Sequence, residues 1–170
     1  LDRDIDFFIC KVAEKNQQIE VEQFYNNLGL YIIPYGRNKV DILVPEQFKL
    51  EPESSGLKMM LDILHRSRMQ FPGMALGFIK RMLDEALRHC SERMVGGKKL
   101  IELDQVQYQI SRIQSAYTIA SAMCVRSSGK SGIAHDLSGE SIEANTMKAF
   151  VTDLMQESAQ AYMQLSGANG

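Results

Sequence analysis

Two arginines and a glycine-rich turn are the residues of this chain whose types and positions could do chemistry. Arg68 and Arg93 lie in one long helical stretch, and the turn Gly167-Ala168 lies near the end of the sequence. A guanidinium group matches phosphate oxygens in a bidentate way, and a glycine-rich turn lets backbone N–H groups approach a phosphate closely. An ordinary charge on a helix surface is the alternative for each arginine.

Other patterns that carry chemistry are excluded by their spacing. Ser128-Gly129-Lys130-Ser131 resembles the end of a phosphate-binding loop, but that motif needs a glycine where Cys124 stands. The histidines, at positions 65, 89 and 135, have no metal-ligand spacing with cysteines or carboxylates. The sequence has neither a nucleophile elbow nor a dinucleotide-binding glycine fingerprint. These patterns therefore predict no metal site and no nucleophilic triad.

Bulk composition excludes several classes of protein. The chain has 170 residues, 45% of them apolar, and a net charge of −2, so it has material for a core but no basic face for nucleic acid. Three well-separated cysteines argue against a disulfide framework and for a reducing compartment. No apolar run is long enough to span a membrane, and no signal peptide is recognisable. The missing initial Met predicts a piece of a longer protein.

Residues 1–50 are predicted to form about four short antiparallel strands, the end of a β-domain. The segments are rich in β-branched and aromatic residues or alternate between apolar and polar residues. They are Ile5–Val12, Ile19–Phe24, Leu30–Ile33 and Val40–Val44. So few strands make an incomplete sheet, which needs another surface to pack on.

Residues 51–170 are predicted to form an up-down bundle of helices. The first predicted helix spans 57–93, has Ser54 or Ser55 as its N-cap, and is interrupted at Pro72-Gly73. The second spans 103–127, and the third spans 140–165 with Ser138 as its cap. The apolar stripes predicted to face the core are Leu57, Met60, Leu61 and Leu64; Met74, Phe78, Met82, Leu83, Ala86 and Leu87; Val106, Ile110, Ile113, Tyr117, Ala120 and Cys124; and Met147, Phe150, Val151, Leu154, Met155, Ala159, Tyr162 and Met163. The wide stripe of the last helix predicts a further packing partner. Gly77, in mid-helix, predicts close approach by a neighbouring helix or by a ligand.

The ordered motifs of the chain resemble those of the acyl-CoA dehydrogenase family. The family's spacing from Gly77 to Arg93 is kept, and the resemblance spans nearly the whole chain. The elements that carry it are, in order, Leu28-Gly29-Leu30, Asp41-Ile42-Leu43-Val44-Pro45-Glu46, Arg68, Gly77, Leu83-Asp84-Glu85-Ala86, Arg93, Gly97-Lys98, Gln105, Lys148-Ala149-Phe150 and the run from Gln164 to Gly170. The resemblance implies the end of the middle β-domain followed by most of the C-terminal helical bundle.

The resemblance also implies a cofactor and site residues. In such enzymes FAD lies between the β-domain and the bundle, and the family arginine at the position of Arg93 approaches its pyrophosphate. Gln105, Gln164 and the turn Gly167-Ala168 fall where the family contacts the cofactor of a neighbouring subunit, which implies a homo-oligomer, dimer or tetramer. Arg68 falls at the edge of the family's acyl-CoA channel.

The implied reaction is α,β-dehydrogenation of an acyl-CoA thioester, with a glutamate as general base and an electron-transfer partner. One family position for this base is immediately before the first arginine of the long helix, where this chain has Ser67. The other is in a loop beyond the glycine-rich turn. No catalytic residue is therefore expected between Leu1 and Gly170, and we expect this chain alone to be inactive. A cytoplasmic or, in a eukaryote, mitochondrial matrix location is expected.

Three departures from the family pattern leave two alternatives open. Gly96 replaces a phenylalanine, Ala168 replaces the second glycine of the turn, and the interval from Arg93 to Gln105 is one residue longer than usual. The chain could be a cofactor-free helical-bundle assembly module, or a family relative that binds flavin but has a different or lost activity.

Overall fold

The computed structural model describes residues 4–10, 17–27 and 32–167. The chain divides into two compact units, residues 1–57 and 58–170. Strands make up most of the secondary structure of the first and helices most of the second, which confirms the predicted fold class, a mainly α protein with a few antiparallel strands. The motif Leu28-Gly29-Leu30 and Ala168 lie outside the described residues.

The first unit contains two antiparallel two-stranded ladders. Its strands are β1 Phe7–Phe8, β2 Gln17–Phe24, β3 Gly36–Ile42 and β4 Lys49–Leu50, with a short 3-10 helix at Glu46–Phe48. β1 pairs with β4, and β2 pairs with β3 in a register that places Ile19 opposite Val40. The prediction that the strands form a single sheet is therefore wrong for the described residues.

Two of the predicted strands differ from those observed. Ile32 and Ile33 lie outside any strand, because Pro34 follows them and offers no N–H to a ladder. The last predicted strand begins earlier, at Gly36, and ends at Ile42 before Pro45. Of the predicted strand 5–12, only Phe7–Phe8 is paired among the described residues.

The first helix is capped by an aspartate that lies far away in sequence. The backbone N–H groups of Gly56 and Leu57 donate to the carboxylate of Asp4 at 3.3 and 3.0 Å. The bond from Leu57, followed by that from Ile5, lowers the pKa of Asp4. Gly56 has no room for a side chain, because a Cβ there would lie 1.5 Å from the carbonyl oxygen of Ile5.

Four helices follow, and three of them form the bundle. They are α1 Gly56–Met69, α2 Phe71–Glu92, α3 Asp104–Lys130 and α4 Ser141–Ser166. The predicted interruption of the first helical stretch is confirmed: α1 ends before Gln70, and Pro72 is tolerated in the first turn of α2. Strands β5 Met94–Val95 and β6 Lys98–Lys99 and a 3-10 helix at Leu100–Glu102 connect α2 to α3. None of the helices within the described residues is long and apolar enough to cross a membrane.

The core lies between α2, α3 and α4. It is built from small and branched side chains that recur at helical spacing, as expected for helices packed along their length. The buried residues of this core are Ala75, Ile79, Leu83, Ala86, Cys90, Val106, Ile113, Ala116, Ala120, Val151, Leu154, Ala161 and Leu165. A second, smaller cluster joins α1 and α4 and consists of Met69, Leu137, Ala144 and Met147.

Several expectations about the helices are wrong. Stripe residues that are exposed instead of buried are Leu57, Leu64, Met74, Leu87, Phe150 and Met163. Ser138 does not cap α4, because the helix begins at Ser141, and the backbone N–H of Ser138 donates to Asp136 instead. The prediction that a neighbouring helix approaches Gly77 closely is also wrong, since a Cβ on Gly77 meets no atom within 4 Å.

Candidate functional site

A cavity of about 590 Å³ opens at one end of the bundle. The C-terminal ends of α2 and α4 and the N-terminal end of α3 meet there, as the antiparallel course of the three helices requires. The lining residues are His89, Arg93, Val95, Leu100, Gln105, Val106, Gln109, Gln164, Leu165, Ser166 and Gly167. Four of the five residues implied as cofactor contacts, Arg93, Gln105, Gln164 and Gly167, are brought together in this one cavity; the fifth, Ala168, is not described.

Arg93 is held at the rim by a hairpin. Its backbone N–H donates to the carbonyl of His89 at 2.9 Å, and this hydrogen bond is at the end of α2. The carbonyl of Arg93 accepts a hydrogen bond from the N–H of Leu100 at 2.8 Å. The chain between Arg93 and Leu100 turns back at Gly96 and Gly97, whose φ angles of 59° and 82° favour glycine at both positions. The hairpin therefore fixes the backbone of Arg93 from both sides and leaves its side chain exposed.

Gln105 and Gln109 project from α3 toward the same cavity. They are four residues apart in a helix, so they lie on one face, and His89 and Arg93 are related in the same way along the chain. Gln105 is exposed, whereas Gln109 is half-buried and its Oε1 atom is closed to solvent. The face that α3 turns to the cavity is thus an amide face, next to the buried Val106.

The end of α4 supplies the third wall. Gly167 has φ 60° and closes the helix, its N–H donating to the carbonyl of Gln164. The backbone N–H of Gly167 is therefore already hydrogen-bonded within the chain. The turn itself is open, as its glycine-rich sequence predicts, because a Cβ on Gly167 would meet no described atom within 4 Å. Ser166 is only 7% exposed.

The polar groups of the cavity have few partners. Within the described part of the chain, the side chains of Arg93, Gln105 and Gln164 form no hydrogen bond or ion pair. Among the described residues, three buried side-chain oxygens lack a hydrogen-bond partner, and two of them, Gln109 Oε1 and Ser166 Oγ, belong to residues that line this cavity. The cavity therefore offers one cation and several amide and hydroxyl groups to a ligand.

Arg68 and Ser67 lie away from this cavity. Both are near the C-terminal end of α1, and α2, which has 22 residues and is about 33 Å long, separates them from Arg93. Ser67 is exposed, and its hydroxyl donates to the carbonyl of Leu64 at 2.9 Å. The structure therefore does not bring Arg68 together with the other predicted site residues.

At the opposite end of the bundle, a polar cluster joins α1 to the loop 131–140. Asp62 accepts hydrogen bonds from the backbone N–H of Leu137 at 2.7 Å and from the guanidinium of Arg66 at 2.9 and 3.1 Å. Arg66 also donates to the carbonyls of residues 131, 132 and 135. Nδ1 of the buried His65 donates to the carbonyl of Leu137 at 2.7 Å. We call these three residues, Asp62, His65 and Arg66, the α1 clamp.

Two further observations limit the possible chemistry. Burial raises the pKa of the Cys90 thiol, so it is a core group and not a reactive thiolate. In the part of the chain that is described, no three His, Cys, Asp or Glu residues are grouped in a way that could hold a metal ion.

The helical part of the chain matches a known family. Residues 54–170 match the family model of the acyl-CoA dehydrogenase C-terminal domain. The chain belongs to the acyl-CoA dehydrogenase family. This confirms the family resemblance that the ordered motifs indicate.

Solved structures of acyl-CoA dehydrogenases have a similar fold. An acyl-CoA dehydrogenase from Slackia heliotrinireducens is 20% identical, with a TM-score of 0.70 over 98% of this chain and 43% of its own. A glutaryl-coenzyme A dehydrogenase, solved in complex with glutaryl-CoA, is 21% identical, with a TM-score of 0.69 over 89% of this chain and 38% of its own. The chain thus spans less than half the length of either protein.

Sequence analysis missed several residues of the cavity and the whole α1 clamp. Gln109 and His89 could have been found, because each lies four residues from a predicted site residue along a helix. Ser166 carries no such signal. The clamp joins residues more than 60 positions apart, so no local pattern announces it.

Proposed function

We propose that this chain is the cofactor-facing part of an FAD-dependent acyl-CoA dehydrogenase, which catalyses α,β-dehydrogenation of an acyl-CoA thioester. The observation that carries the proposal is the single cavity lined by Arg93, Gln105, Gln164 and Gly167. Membership of the acyl-CoA dehydrogenase family supports the proposed reaction class, and the cavity supports the part assigned to this chain.

The donor set of the cavity fits FAD. FAD carries a pyrophosphate flanked by hydroxyl-bearing sugars, and the cavity pairs the guanidinium of Arg93 with amide and hydroxyl groups, all without hydrogen-bond partners among the described residues. A guanidinium suits phosphate oxygens, and buried oxygens without partners suit ligand hydroxyls. The buried Val106 and Leu165 form an apolar part of the wall, and polar contacts beside such a surface are stronger than in water.

The roles of the residues follow from their chemistry. Arg93 binds the pyrophosphate, and the amides of Gln105 and Gln164 orient the rest of the cofactor. Bound flavin supplies the hydride acceptor for the β-hydrogen of the substrate. Arg68, at the other end of α2, contacts the acyl-CoA.

Flavin binding by Arg93 variants tests the proposal. We expect Arg93→Ala to weaken FAD binding about 10- to 100-fold, because charge-assisted hydrogen bonds contribute about 1.5–3 kcal/mol. Arg88→Ala is the matched control, since Arg88 is exposed on α2 and does not line the cavity. Flavin fluorescence, excited in the visible where the protein does not absorb, measures the binding of FAD. Equal affinity of the two variants, or no binding by the unmodified chain, contradicts the proposal.

Turnover gives a separate test. Position 67 carries a serine whose hydroxyl is bonded to Leu64, so it offers no carboxylate for proton abstraction. We expect the 170-residue chain, with FAD and an acyl-CoA added, to reduce no redox dye. Dye reduction that depends on acyl-CoA contradicts this expectation and places a general base within the chain.

The proposal includes partners. A homo-oligomer, dimer or tetramer, in which neighbouring subunits share cofactor sites is supported by α4, where Phe150 and Met163 are 45% and 55% exposed. An electron-transfer partner would reoxidise the flavin, and a cytoplasmic or mitochondrial matrix location would supply the acyl-CoA. Light scattering at several protein concentrations tests the oligomer, and a monomer throughout contradicts it.

A cofactor-free assembly module is the second candidate. Gly96, with its positive φ, offers no ring at the place where the family has a phenylalanine. If this candidate is correct, the purified protein is colourless, takes up no flavin and still self-associates. Bound flavin that acyl-CoA does not bleach would instead indicate a relative with another activity.

A further inference from the structure

Two buried oxygens next to the Arg93 cavity have unused hydrogen-bonding capacity. Gln109 Oε1 and Ser166 Oγ are closed to solvent and have no partner among the described residues. Gln109 lies on α3 and Ser166 is the last residue of α4, so the two reach the cavity from different walls. A buried polar atom without a partner is destabilising, and in native proteins such atoms are rare.

The chemistry of the two oxygens defines what they could bind. An amide oxygen accepts hydrogen bonds only, and a serine hydroxyl both donates and accepts. Each suits a ligand hydroxyl, which can donate to the amide oxygen and can donate to or accept from the serine hydroxyl. They do not suit a phosphate oxygen, which an amide oxygen repels.

We propose that Gln109 and Ser166 form a subsite for a sugar hydroxyl of the ligand whose phosphate Arg93 binds. This rests on the proposed function of the cavity and assigns a role to two side chains, of which Gln109 lies outside the family motifs and Ser166 lies within the run from Gln164 to Gly170. Both residues line the cavity, and both oxygens are closed to solvent, so a change of side-chain rotamer on binding is part of the proposal.

The position of each residue supports this subsite. Gln109 lies one helical turn beyond Gln105, on the same face of α3 and farther from the rim. Ser166 lies between Gln164 and Gly167, and its neighbour Leu165 is buried. A sugar next to the phosphate would thus be held in a less hydrated region than the phosphate itself, where a hydrogen bond is stronger.

Three single variants test the subsite. Gln109→Met keeps the length of the side chain and removes the amide, and Ser166→Ala removes the hydroxyl. Ser158→Ala is the matched control, because Ser158 Oγ is the third buried oxygen without a partner and lines a different groove between α3 and α4. Calorimetric titration of each protein with FAD, FMN and ADP separates the ribityl hydroxyls from those of the adenosine ribose.

We expect Gln109→Met and Ser166→Ala each to weaken FAD binding about fivefold, which corresponds to about 1 kcal/mol. All three variants should keep or raise the unfolding midpoint without ligand, because each removes a buried oxygen that has no partner. Weaker binding of FMN but not ADP would assign the ribityl chain, and the reverse would assign the ribose. If Gln109 and Ser166 had only a structural role, their variants would lose stability without ligand to the same extent as they lose FAD binding.

The outcomes separate this proposal from the function on which it rests. One outcome would contradict the subsite alone: FAD binds, Arg93→Ala weakens the binding of FAD, and the Gln109 and Ser166 variants bind FAD as well as Ser158→Ala does. In that case the proposed cofactor site is still supported. If the unmodified chain binds none of the three ligands, both are wrong.

Discussion

The two ends of the helical bundle use polar residues in opposite ways. At the end formed by α1 and the loop 131–140, Asp62 and Arg66 are hydrogen-bonded several times over, and the buried His65 donates to Leu137. At the other end, Arg93 and Gln105 have no partner within the described part of the chain.

The difference lies in what completes each hydrogen-bond network. The α1 clamp is completed by the chain itself, because the backbone of the loop supplies three carbonyls to Arg66 and one N–H to Asp62. Buried and charge-assisted bonds of this kind stabilise the folded state. Among the described residues, none completes the hydrogen bonds of the Arg93, Gln105 and Gln164 side chains at the other end. One end therefore contributes to stability and the other is available for binding.

Removing the carboxylate of the clamp should have the largest effect on stability. Asp62→Ala leaves the N–H of Leu137 without its acceptor and removes the carboxylate partner of Arg66, so we expect the free energy of unfolding to fall by about 3 kcal/mol. Urea denaturation followed by circular dichroism measures it.

The matched control for this variant is Asp84→Ala. Asp84 forms an exposed ion pair with Lys80 on α2, and such pairs contribute little. Similar losses for the two variants would show that the clamp is no more than a surface charge pair, and the contrast between the ends would be lost.

The carboxylate of Asp62 should also make the free energy of unfolding depend on pH. Desolvation raises the pKa of Asp62, but the hydrogen bonds from Arg66 and Leu137 outweigh it, so the pKa lies below its usual 3.8. A lowered folded-state pKa gives stability that is complete above the unfolded pKa of about 3.9 and is lost as pH falls through the folded value. Between pH 5 and pH 2, we expect the free energy of unfolding to fall more for the wild-type chain than for Asp62→Ala. Parallel pH profiles of the two proteins would contradict this.

Between the two ends, Gly77 should be the site of a gain in stability. It is exposed in the middle of α2, and an added Cβ meets no atom within 4 Å. Gly77→Ala should therefore raise the free energy of unfolding by up to about 1 kcal/mol, because alanine is the better helix former. Thermal unfolding tests it, with Gly73→Ala as a control, since Gly73 lies in the first turn of the same helix, beside the Cys124 side chain. A loss of stability in Gly77→Ala would mean that another surface packs against this position.

The elements of the bundle could be predicted from sequence because their signals are local. Apolar periodicity fixed α3 to within a few residues, and Pro72 marked the division between α1 and α2. The buried faces were harder to predict. Met74 is 60% exposed whereas Ala75 is fully buried, because close packing of the three helices selects small side chains and hydrophobicity alone does not.

The site was predictable only as a set of separate residues. Arg93, Gln105 and Gln164 lie on three elements, and the family motifs indicate them one by one, but their meeting in one cavity follows from the antiparallel course of the helices. The backbone details could not be predicted, such as the use of the Gly167 amide by Gln164. Hydrogen bonds of this kind depend on where a helix ends, which is the least certain part of a sequence-based assignment.

The smallest effects on stability are expected at the cavity end. Gln105→Ala and Gln164→Ala remove exposed amides that have no partner within the described residues, so each should change the free energy of unfolding by less than about 0.5 kcal/mol. Both should weaken FAD binding, by about fivefold for one lost hydrogen bond. Denaturation and flavin titration of the same samples measure the two effects together. The difference between the ends holds if Asp62→Ala changes stability and these two variants change binding; a loss of stability in either glutamine variant would show that the cavity end, too, is completed by the chain itself.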